Sequence, residues 1–455
     1  MSTKVSDKRY KKTLFVFRRD LRLEDNLGLI LALRHSEEVI PAFIYDSQLL
    51  KKIKNSELRW NFLNESLFDL DVNLKKKGSS LQVYEGDPVK AVEKIISEYR
   101  IDSVFSNIDF SNYSKKRDLK IKKLCEKNNI DVNYSLDFML HDPNEIKTNE
   151  GKPYSVYSHF FKKAKEFPVR KILKNDYDNY VKNARGKNEN NFLIKDNSVL
   201  AGGRNAGLKI IKNLKEFKDY EKYRDYPALD FTTKLSPHNK FGTISIRETL
   251  QKIVKELGPT HILINQIYWR EFFNYILYHF PYSKTKSFKS KYEKLPWSKS
   301  QELFGYWCNG MTGFPIVDAG MRELNATGFM HNRVRMVVAS FLTKDLHIDW
   351  RWGEKFFSEK LIDYDPAVNA GNWQWAASTG CDAVPYFRIF NPWRQQERFD
   401  CDCEYIKKWV PELEELSSKQ IHNLWKSDSQ IDGYPKPIVD HKIESDKSKK
   451  IFKSI

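Results

Sequence analysis

Between Thr13 and about Asp137, short runs rich in β-branched and aromatic residues alternate with longer runs in which apolar residues have helical spacing. The β-rich runs read TLFVF, VIPAFIYD, SLQVYEG, IDSVFSN and IDVNYSL. Strands that alternate with helices are typical of a parallel sheet covered by helices on both faces. The sequence therefore predicts an α/β domain over residues 1–137, with a Rossmann-like, doubly wound parallel sheet.

The first β-rich run continues into Arg18-Arg19-Asp20-Leu21-Arg22, without the GxGxxG pattern that follows the first strand of ordinary dinucleotide-binding domains. We therefore do not expect an ordinary NAD-binding domain. A doubly wound sheet still offers a ligand site outside the carboxyl ends of its strands, where the strand order reverses.

Beyond about Gly207 the apolar spacing is helical, in runs such as SIRETLQKIVKEL, QIYWREFFNYILYHF and NRVRMVVASFLTKDL. Residues 138–205 are polar and carry no sustained period, which is typical of a surface connection. The sequence thus predicts an interdomain linker over 138–205 and an all-α domain over 206–455. Ten of the eleven tryptophans lie in the helical part. A large aromatic core and an indole-based function are both open explanations.

The formal net charge of +17 favours polyanionic partners, because bound phosphates release counterions. Nucleic acid is the leading partner class, and a solvated lysine-rich surface is the alternative. The five cysteines are scattered, without the spacing of a zinc site or a disulfide framework, which indicates a reducing compartment. With no secretory leader and no run of about 18 apolar residues, we expect a cytoplasmic protein without a membrane partner.

The densest polar and aromatic cluster is LIDYDPAVNAGNWQWAASTG, residues 361–380. It combines the carboxylates of Asp363 and Asp365 with the Asn369 amide, a set that can line a buried polar ligand. An acid/base pair is a second interpretation of the two carboxylates. A metal site is not expected, because no histidine or third carboxylate stands at ligand spacing.

Three further segments carry candidate chemistry. GFMHNRVRM (328–336) places Asn332 and Met336 one helical turn apart, with Arg333 and Arg335 able to pair with carboxylates or phosphates. TTKLSPHNKFG (232–242) is a polar loop before a helix, which suits a phosphate. Trp269-Arg270-Glu271 and NPWRQQERFD (391–400) interleave basic and aromatic groups as a nucleic-acid surface does, with amphipathic core helices as the alternative.

Taken together, these segments resemble the photolyase/cryptochrome family. The blocks that carry the resemblance are, in order, FVFRRDLRLEDN, GKPYSVYSHFF, TTKLSPHNKFG, WREFFNYILYHFP, TGFPIVDAGMRELNATGFMHNRVRM, the stretch from Asp363 to Ser378, and FRIFNP. The resemblance covers the chain from about Lys12 to about His441. It implies an N-terminal domain with an optional antenna pigment and a helical domain that holds FAD beside a positively charged DNA groove.

The resemblance also implies roles for individual residues around FAD. Asn369 would face flavin N5 and accept from N5–H of the reduced ring, and Arg335 would pair with Asp363 beside it. The implied FAD contacts are Tyr220, Thr232, Thr233, Lys234, Leu235, Ser236, Leu263, Arg335, Asp363, Tyr364, Asp365 and Asn369. An implied tryptophan relay of Trp297, Trp350 and Trp373 would pass electrons to FAD.

The implied reaction is blue-light-driven DNA repair by one-electron transfer. Photoexcited reduced FAD donates an electron to a flipped-out pyrimidine dimer, the cyclobutane bonds break, and the electron returns. A dimer is poorly stacked, so extruding it costs less than flipping a normal pair. The implied DNA contacts are Arg224, Gln266, Trp269, Arg270, Asn332, Arg333, Met336 and Gln395.

The motif around Asn332 and Arg333, together with Asn369, resembles the class I cyclobutane pyrimidine dimer branch of the family. Gln266 departs from that branch, because dimer photolyases usually have a lesion-binding glutamate there and (6-4) and cryptochrome members a glutamine. A (6-4) photolyase and a cryptochrome-type photoreceptor therefore stay open as alternatives, as does a non-enzymatic nucleic-acid binder. The family implies a monomer.

The antenna pigment depends on the first domain. Folate-binding members carry a glutamate where this chain has Ser111, so methenyltetrahydrofolate is disfavoured. Asp109 and Lys240 resemble the members that bind a deazaflavin, so we expect 8-hydroxy-deazaflavin first, with FMN or no antenna as alternatives. A solvated surface role is the alternative for Lys240.

Overall fold

The computed structural model describes residues 9–53, 56–182, 192–195, 199–427 and 430–455. Its five strands form one parallel sheet: β1 Tyr10–Phe17, β2 Ser36–Asp46, β3 Gln82–Gly86, β4 Ser103–Asn107 and β5 Asp131–Ser135. Each strand coincides with one of the β-rich runs of the sequence. Their spatial order is β3-β2-β1-β4-β5. The predicted doubly wound parallel sheet is therefore confirmed.

The strand order reverses between β1 and β4, which pair with Val16 opposite Ser106. After β3 the chain crosses back to the far side of β1, so the loops that follow β1 and β4 diverge and leave a crevice at their carboxyl ends. Arg18 follows β1, and its Nη1 donates to the Asn107 carbonyl at the end of β4 at 3.1 Å.

Twenty α-helices surround the sheet or follow it in the described ranges. They are α1 Leu27–His35, α2 Ser47–Ile53, α3 Glu57–Lys75, α4 Pro88–Tyr99, α5 Asn112–Lys127, α6 Tyr157–Ala164, α7 Gly203–Lys212, α8 Tyr220–Tyr223, α9 Ser236–Phe241, α10 Ile246–Leu257, α11 Ile262–His279, α12 Gln301–Asn309, α13 Pro315–Thr327, α14 Asn332–Ser340, α15 Trp350–Lys360, α16 Pro366–Ala376, α17 Pro392–Phe399, α18 Glu404–Trp409, α19 Ser418–His422 and α20 His441–Lys453. A π-helical turn, Phe341–Asp345, continues α14.

The chain divides into two compact units. The first contains Met1–Tyr154, His159–Lys215 and Lys234–Pro281, and the second Ser155–Ser158, Glu216–Thr233 and Tyr282–Ile455. The first unit holds the sheet together with α9, α10 and α11, whereas all helices from α12 onward belong to the second. The domain boundaries predicted from the sequence stay a prediction. Residues 183–191 and 196–198 of the expected linker lie outside the described residues.

Each unit has its own apolar core. In the first, Leu14, Ile40 and Val104 of the central strands pack with Val92 of α4 and Ile121 of α5. The core of the second is aromatic: Trp307, Phe341, Trp350, Phe357 and Trp373 are all buried in one cluster. Burying so many large rings removes a large apolar area from water, which is the main favourable term in folding.

The Arg18–Arg22 segment after β1 belongs to a buried ionic network. Arg22 and Arg247 of α10 both bind Asp137, the latter through Nη2 to Oδ1 at 2.8 Å, and Arg247 Nε also binds Asp25 Oδ2 at 2.7 Å. Burial alone would raise the pKa of Asp137, but the two arginines lower it below its ordinary value. The network ties α10 to the loops beyond β1 and β5, so removing one partner would leave a buried charge unpaired.

None of the helices in the described ranges is both long and apolar enough to cross a membrane. Within the same ranges, no three His, Cys, Asp or Glu side chains are placed to hold a metal ion. All five cysteines are free.

Candidate functional site

In the second unit, Arg335 and Asp363 form the ion pair that the sequence motifs imply. Arg335 Nη1 donates to Asp363 Oδ1 at 3.2 Å and Nη2 to Oδ2 at 3.0 Å, a two-bond arrangement that fixes the plane of both groups. Arg335 Nε donates to the Met330 carbonyl at 2.7 Å, which ties the arginine to the loop that precedes its own helix α14. Tyr364 and Asp365 follow Asp363 directly in the loop between α15 and α16.

Helix α16 follows this loop directly and carries Asn369 in its first turns. Asp365 caps the helix by accepting from the Ala367 N–H at 3.0 Å, and Pro366 occupies the first turn, where its missing N–H costs nothing. Asn369 lies one turn further on and is 8% exposed.

The Asn369 amide has a fixed orientation. Its Nδ2 donates to Glu354 Oε1 and to the Glu354 carbonyl oxygen, both at 3.1 Å. The Tyr364 hydroxyl donates to the same Oε1 at 3.3 Å, and Lys284 Nζ donates to that hydroxyl at 3.5 Å. A carboxylate and a peptide carbonyl only accept, so they hold the NH₂ end of the amide, and Oδ1 is directed to the opposite side as an acceptor.

The three tryptophans of the implied relay lie in or against one aromatic core. Trp350 and Trp373 are buried within it, and Trp297 is half-buried against it. Gly353 lets α15 approach Trp373, because a Cβ at that position would lie 2.1 Å from Cη2 of the indole. The indole N–H groups of Trp297 and Trp350 are buried without a hydrogen-bond partner among the described residues.

Of the implied DNA contacts in the second unit, Arg224 and Arg333 both face Asp225. Arg333 Nη2 binds Asp225 Oδ2 at 2.6 Å, and Arg224 Nε lies 3.8 Å from Oδ1. The Arg333 guanidinium also covers the Phe399 ring, 4.3 Å from its centre. One carboxylate thus holds two guanidinium groups that the sequence assigns to DNA, and it lowers the positive charge they present together.

The remaining implied DNA contacts of the second unit lie on α14 and α17. Asn332 is exposed and Met336 half-buried one turn later, with Asn332 Nδ2 3.9 Å from the Met336 sulfur. Gln395 of α17 has a buried Oε1 that accepts no hydrogen bond from the described residues. A buried amide oxygen without a donor is costly in a folded protein, so this atom is suited to a ligand that donates.

In the first unit, helix α11 carries Gln266, Trp269 and Arg270 on one face, three and four residues apart. Trp269 is half-buried and packs against Phe273, with ring centres 5.6 Å apart. Arg270 donates to two backbone carbonyls, Phe138 O at 2.9 Å and Asn239 O at 3.4 Å. Its guanidinium therefore also holds the first unit together, a structural function that the sequence did not indicate.

The polar loop implied to hold FAD phosphates crosses from the second unit to the first between Thr233 and Lys234. In the second unit, Tyr220 is buried, Thr233 is half-buried, and Thr232 Oγ1 is a buried hydroxyl without a partner among the described residues. In the first unit, Lys234 has a left-handed backbone with φ of 52°, and Ser236 begins α9. Leu235 and Leu263 are buried.

The implied antenna residue Asp109 follows β4 at the crevice of the sheet. Its Oδ2 lies 3.4 Å from Arg19 Nη1, and Arg19 covers the Phe138 ring at 4.6 Å. Ser111 caps α5 by accepting from the Ser114 N–H at 3.1 Å. Lys240 lies on α9, with its Nζ 5.9 Å from the centre of the Phe241 ring.

Residues 13–174 match the family model described as DNA photolyase, and residues 263–454 match the FAD binding domain of DNA photolyase. The chain belongs to the DNA photolyase family. Its helical part accordingly contains a FAD-binding domain.

Curated relatives of this photolyase-family chain carry the name deoxyribodipyrimidine photo-lyase. One from Halobacterium salinarum is 37% identical over 463 residues, covering 94% of this chain and 96% of the relative, and one from Escherichia coli is 35% identical over 451 residues, covering 94% and 95%. An archaeal photolyase from Sulfolobus tokodaii, solved with two FAD molecules, superposes with a TM-score of 0.88 at 38% identity, covering 98% of this chain and all of the other. A Synechocystis cryptochrome reaches the same TM-score at 28% identity, with the same coverage.

Three residues around the photolyase site were missed by sequence reasoning: Glu354, Asp225 and Arg19. Each contacts a predicted residue from a different element of its unit. Glu354 lies in the EKFF run of α15 and Asp225 in the YRDYP segment. Neither residue stands at a spacing from other polar residues that would indicate a site. Only the fold brings Glu354 to Asn369 and Asp225 to Arg333.

Proposed function

We propose that the protein repairs cyclobutane pyrimidine dimers in DNA, by electron transfer from photoexcited reduced FAD to a flipped-out dimer. The enzyme class is that of its relatives, which are named deoxyribodipyrimidine photo-lyase. The observation that carries the proposal is the fixed amide of Asn369.

The orientation of Asn369 selects the redox state of the cofactor. Oδ1 is the atom that the amide presents, because Nδ2 is held by Glu354. An oxygen acceptor matches a flavin that carries hydrogen on N5 and opposes an oxidised flavin, whose N5 is itself an acceptor. The chain therefore favours reduced FAD, which is the state that can donate an electron.

The residues implied to bind FAD fit that cofactor on two further observations. The buried Thr232 hydroxyl has no hydrogen-bond partner in the part of the chain that the structure describes, and it can donate and accept, which suits a phosphate or ribityl oxygen. The Arg335–Asp363 pair supplies fixed donors and acceptors for the polar edge of a ring system. When bound, FAD supplies the light absorption and the transferable electron.

For DNA, the proposal assigns Trp269 and Met336 to the flipped bases and Arg224 and Arg333 to the backbone. Arginine matches phosphate geometry with two bonds, and a phosphate would compete with Asp225 for both guanidinium groups. The net charge of +17 adds a general attraction for the polyanion. A class I, monomeric, cytoplasmic enzyme is part of the same proposal.

For the antenna we propose a flavin-type pigment at the carboxyl end of β4, near Asp109. An 8-hydroxy-deazaflavin is the first choice, with FMN or an empty site as the alternatives. The second FAD of the Sulfolobus tokodaii photolyase favours a flavin over a folate in this setting. Ser111 supports the same preference, because its hydroxyl caps α5 and it carries no carboxylate for a folate.

The test uses purified, FAD-loaded and chemically reduced protein under blue light. It is offered matched oligonucleotides that contain a cyclobutane dimer, a (6-4) product or no lesion. We expect restoration of the cyclobutane dimer alone. Restoration of the (6-4) product alone would favour that branch, to which Gln266 points. Restoration of neither lesion would favour a cryptochrome-type photoreceptor.

A matched pair of variants tests the lesion contact. Trp269→Ala should weaken dimer binding by roughly 1 to 3 kcal/mol, the range for one base stacked on an aromatic ring. Trp425→Ala is the control, because Trp425 is 53% exposed and lies outside the assigned contacts. Equal dimer affinity in the two variants would remove Trp269 from the binding site.

A further inference from the structure

Asp225 is a carboxylate without a role of its own in the proposed function, although it faces two arginines assigned to the DNA backbone. It lies in the turn after α8, where its side chain is 31% exposed. Arg333 Nη2 of α14 donates to Asp225 Oδ2 at 2.6 Å, and Arg224 Nε lies 3.8 Å from Oδ1. Each carboxylate oxygen therefore faces one guanidinium group, as two oxygens of a phosphate would.

Aromatic rings hold both guanidinium groups independently of this carboxylate. The Arg333 guanidinium lies 4.3 Å from the centre of the Phe399 ring, and the Arg224 guanidinium lies 5.5 Å from the centre of the Tyr220 ring. Both rings are buried, so the surrounding core fixes their positions. An arginine on an aromatic face keeps its full charge, whereas a carboxylate cancels that charge. The rings therefore position the two arginines, and the main effect of Asp225 is on their charge.

The pairing of Arg333 with Asp225 is incomplete. Among the described hydrogen bonds of the Arg333 guanidinium, only Nη2 donates, and the buried Nε has no partner in the described part of the chain. Arg335, on the same helix, instead binds Asp363 through two bonds. Two parallel bonds are the stronger arrangement for arginine with a carboxylate or a phosphate. A phosphate can therefore replace Asp225 on Arg333 more easily than a ligand could replace Asp363 on Arg335.

A third guanidinium, that of Arg398, lies 5.1 Å from the centre of the same Phe399 ring, and its side chain is exposed. Among the described ion pairs of Arg224, Arg333 and Arg398, Asp225 supplies the only carboxylate. The group thus carries three positive charges and one negative charge. Removing the negative charge would raise the local positive charge from two to three.

We propose that Asp225 competes with the DNA backbone for Arg224 and Arg333 and thereby weakens lesion-independent DNA binding. Without DNA, the carboxylate occupies Arg333. A phosphate that approaches the two arginines must displace the carboxylate or lie beside its negative charge. The protein therefore releases undamaged DNA more readily, and undamaged DNA is also the product of the proposed repair. This inference rests on the proposed function in taking the two arginines as DNA contacts.

The test measures the affinity of Asp225→Asn for an undamaged duplex, by fluorescence anisotropy over a series of salt concentrations. Asparagine keeps the shape of the side chain and an oxygen that accepts from Arg333, so the substitution removes the charge alone. A phosphate on these guanidinium groups would lie about 6 Å from the carboxylate. At an effective dielectric constant of about 20 and a screening length of about 10 Å, binding should tighten roughly tenfold. The slope of log affinity against log salt should steepen by up to about 0.9, the value for one phosphate.

Two matched variants separate this effect from a change in overall charge. Asp225→Glu keeps the negative charge and should bind like the wild type. Glu221→Gln removes the same charge from an exposed position on α8, which no described ion pair joins to either arginine, and should change the affinity by less than about twofold. Equal gains in Glu221→Gln and Asp225→Asn would overturn the proposal. Unchanged or weaker binding by Asp225→Asn would also overturn it, because the carboxylate would then only position the arginines.

Arg333→Gln keeps this test separate from that of the proposed function, since it should weaken binding to the undamaged duplex. Normal binding by this variant would show that the assignment of Arg333 to DNA is wrong. Weaker binding by Arg333→Gln, together with unchanged binding by Asp225→Asn, would leave that assignment intact and overturn the competition by Asp225. A dimer-containing duplex should gain by the same factor as the undamaged one in Asp225→Asn, because backbone contacts do not read the lesion. A gain confined to the dimer-containing duplex would contradict the proposal.

Discussion

Replacing Glu354 by glutamine should lower the reduction potential of bound FAD. In the wild type, Asn369 Nδ2 donates to the Glu354 carboxylate and to its carbonyl, both at 3.1 Å. Turning the amide over would break one charge-assisted bond, worth about 1.5 to 3 kcal/mol, and one neutral bond, worth about 1 kcal/mol. At roughly 3 kcal/mol the turned amide is populated less than about one part in a hundred.

In Glu354→Gln only the carbonyl bond still favours the original orientation, because a glutamine side chain can donate as well as accept. The stability of reduced FAD relative to oxidised FAD should then fall by roughly 1 to 2 kcal/mol, which corresponds to a fall of about 20 to 40 mV in the two-electron reduction potential. Spectroelectrochemical titration of the FAD-loaded protein measures this directly.

Glu359→Gln is the matched control for this prediction. Glu359 lies on the same helix α15, and its replacement removes the same charge, but none of the described hydrogen bonds joins it to Asn369. Equal potentials in the two variants, at equal FAD content, would refute the argument that Glu354 orients the amide.

Three further predictions follow from the assigned roles. Trp373→Phe should abolish light-driven reduction of FAD, whereas the chemically reduced variant should still repair dimers, because the relay only reduces the cofactor before repair. Normal photoreduction of the variant would remove Trp373 from the relay. Gln266→Ala should weaken dimer binding by roughly 1 to 3 kcal/mol, the cost of an unpaired buried polar group. The dimer affinity of Gln266→Glu should stay within about tenfold of the wild type, or about 1.4 kcal/mol. Unchanged binding by the alanine variant, in a titration with dimer-containing oligonucleotide, would place Gln266 outside the lesion contact. Mass spectrometry of pigment released from protein made in its native host should find a deazaflavin or FMN, and methenyltetrahydrofolate there would overturn the antenna assignment.

Local patterns in the sequence determined the fold class. The change from alternating strand and helix runs to helical spacing alone predicted both the parallel sheet and the helical remainder, because the period of apolar residues is set by the geometry of each element. Short motifs also predicted contacts within the second unit. Arg335 and Asp363, for example, form the expected pair at 3.0 Å.

The tertiary structure alone decided which ordinary residues complete the site. Glu354 orients Asn369 from another helix, Asp225 holds Arg333 from more than a hundred positions away, and Phe452 meets Lys344 from the far end of the chain. A glutamate, an aspartate or a lysine in a charged run has no sequence feature that predicts such a contact. A sequence pattern records the period of one element, whereas these contacts depend on how separate elements pack, and that packing is fixed only when the whole core is formed.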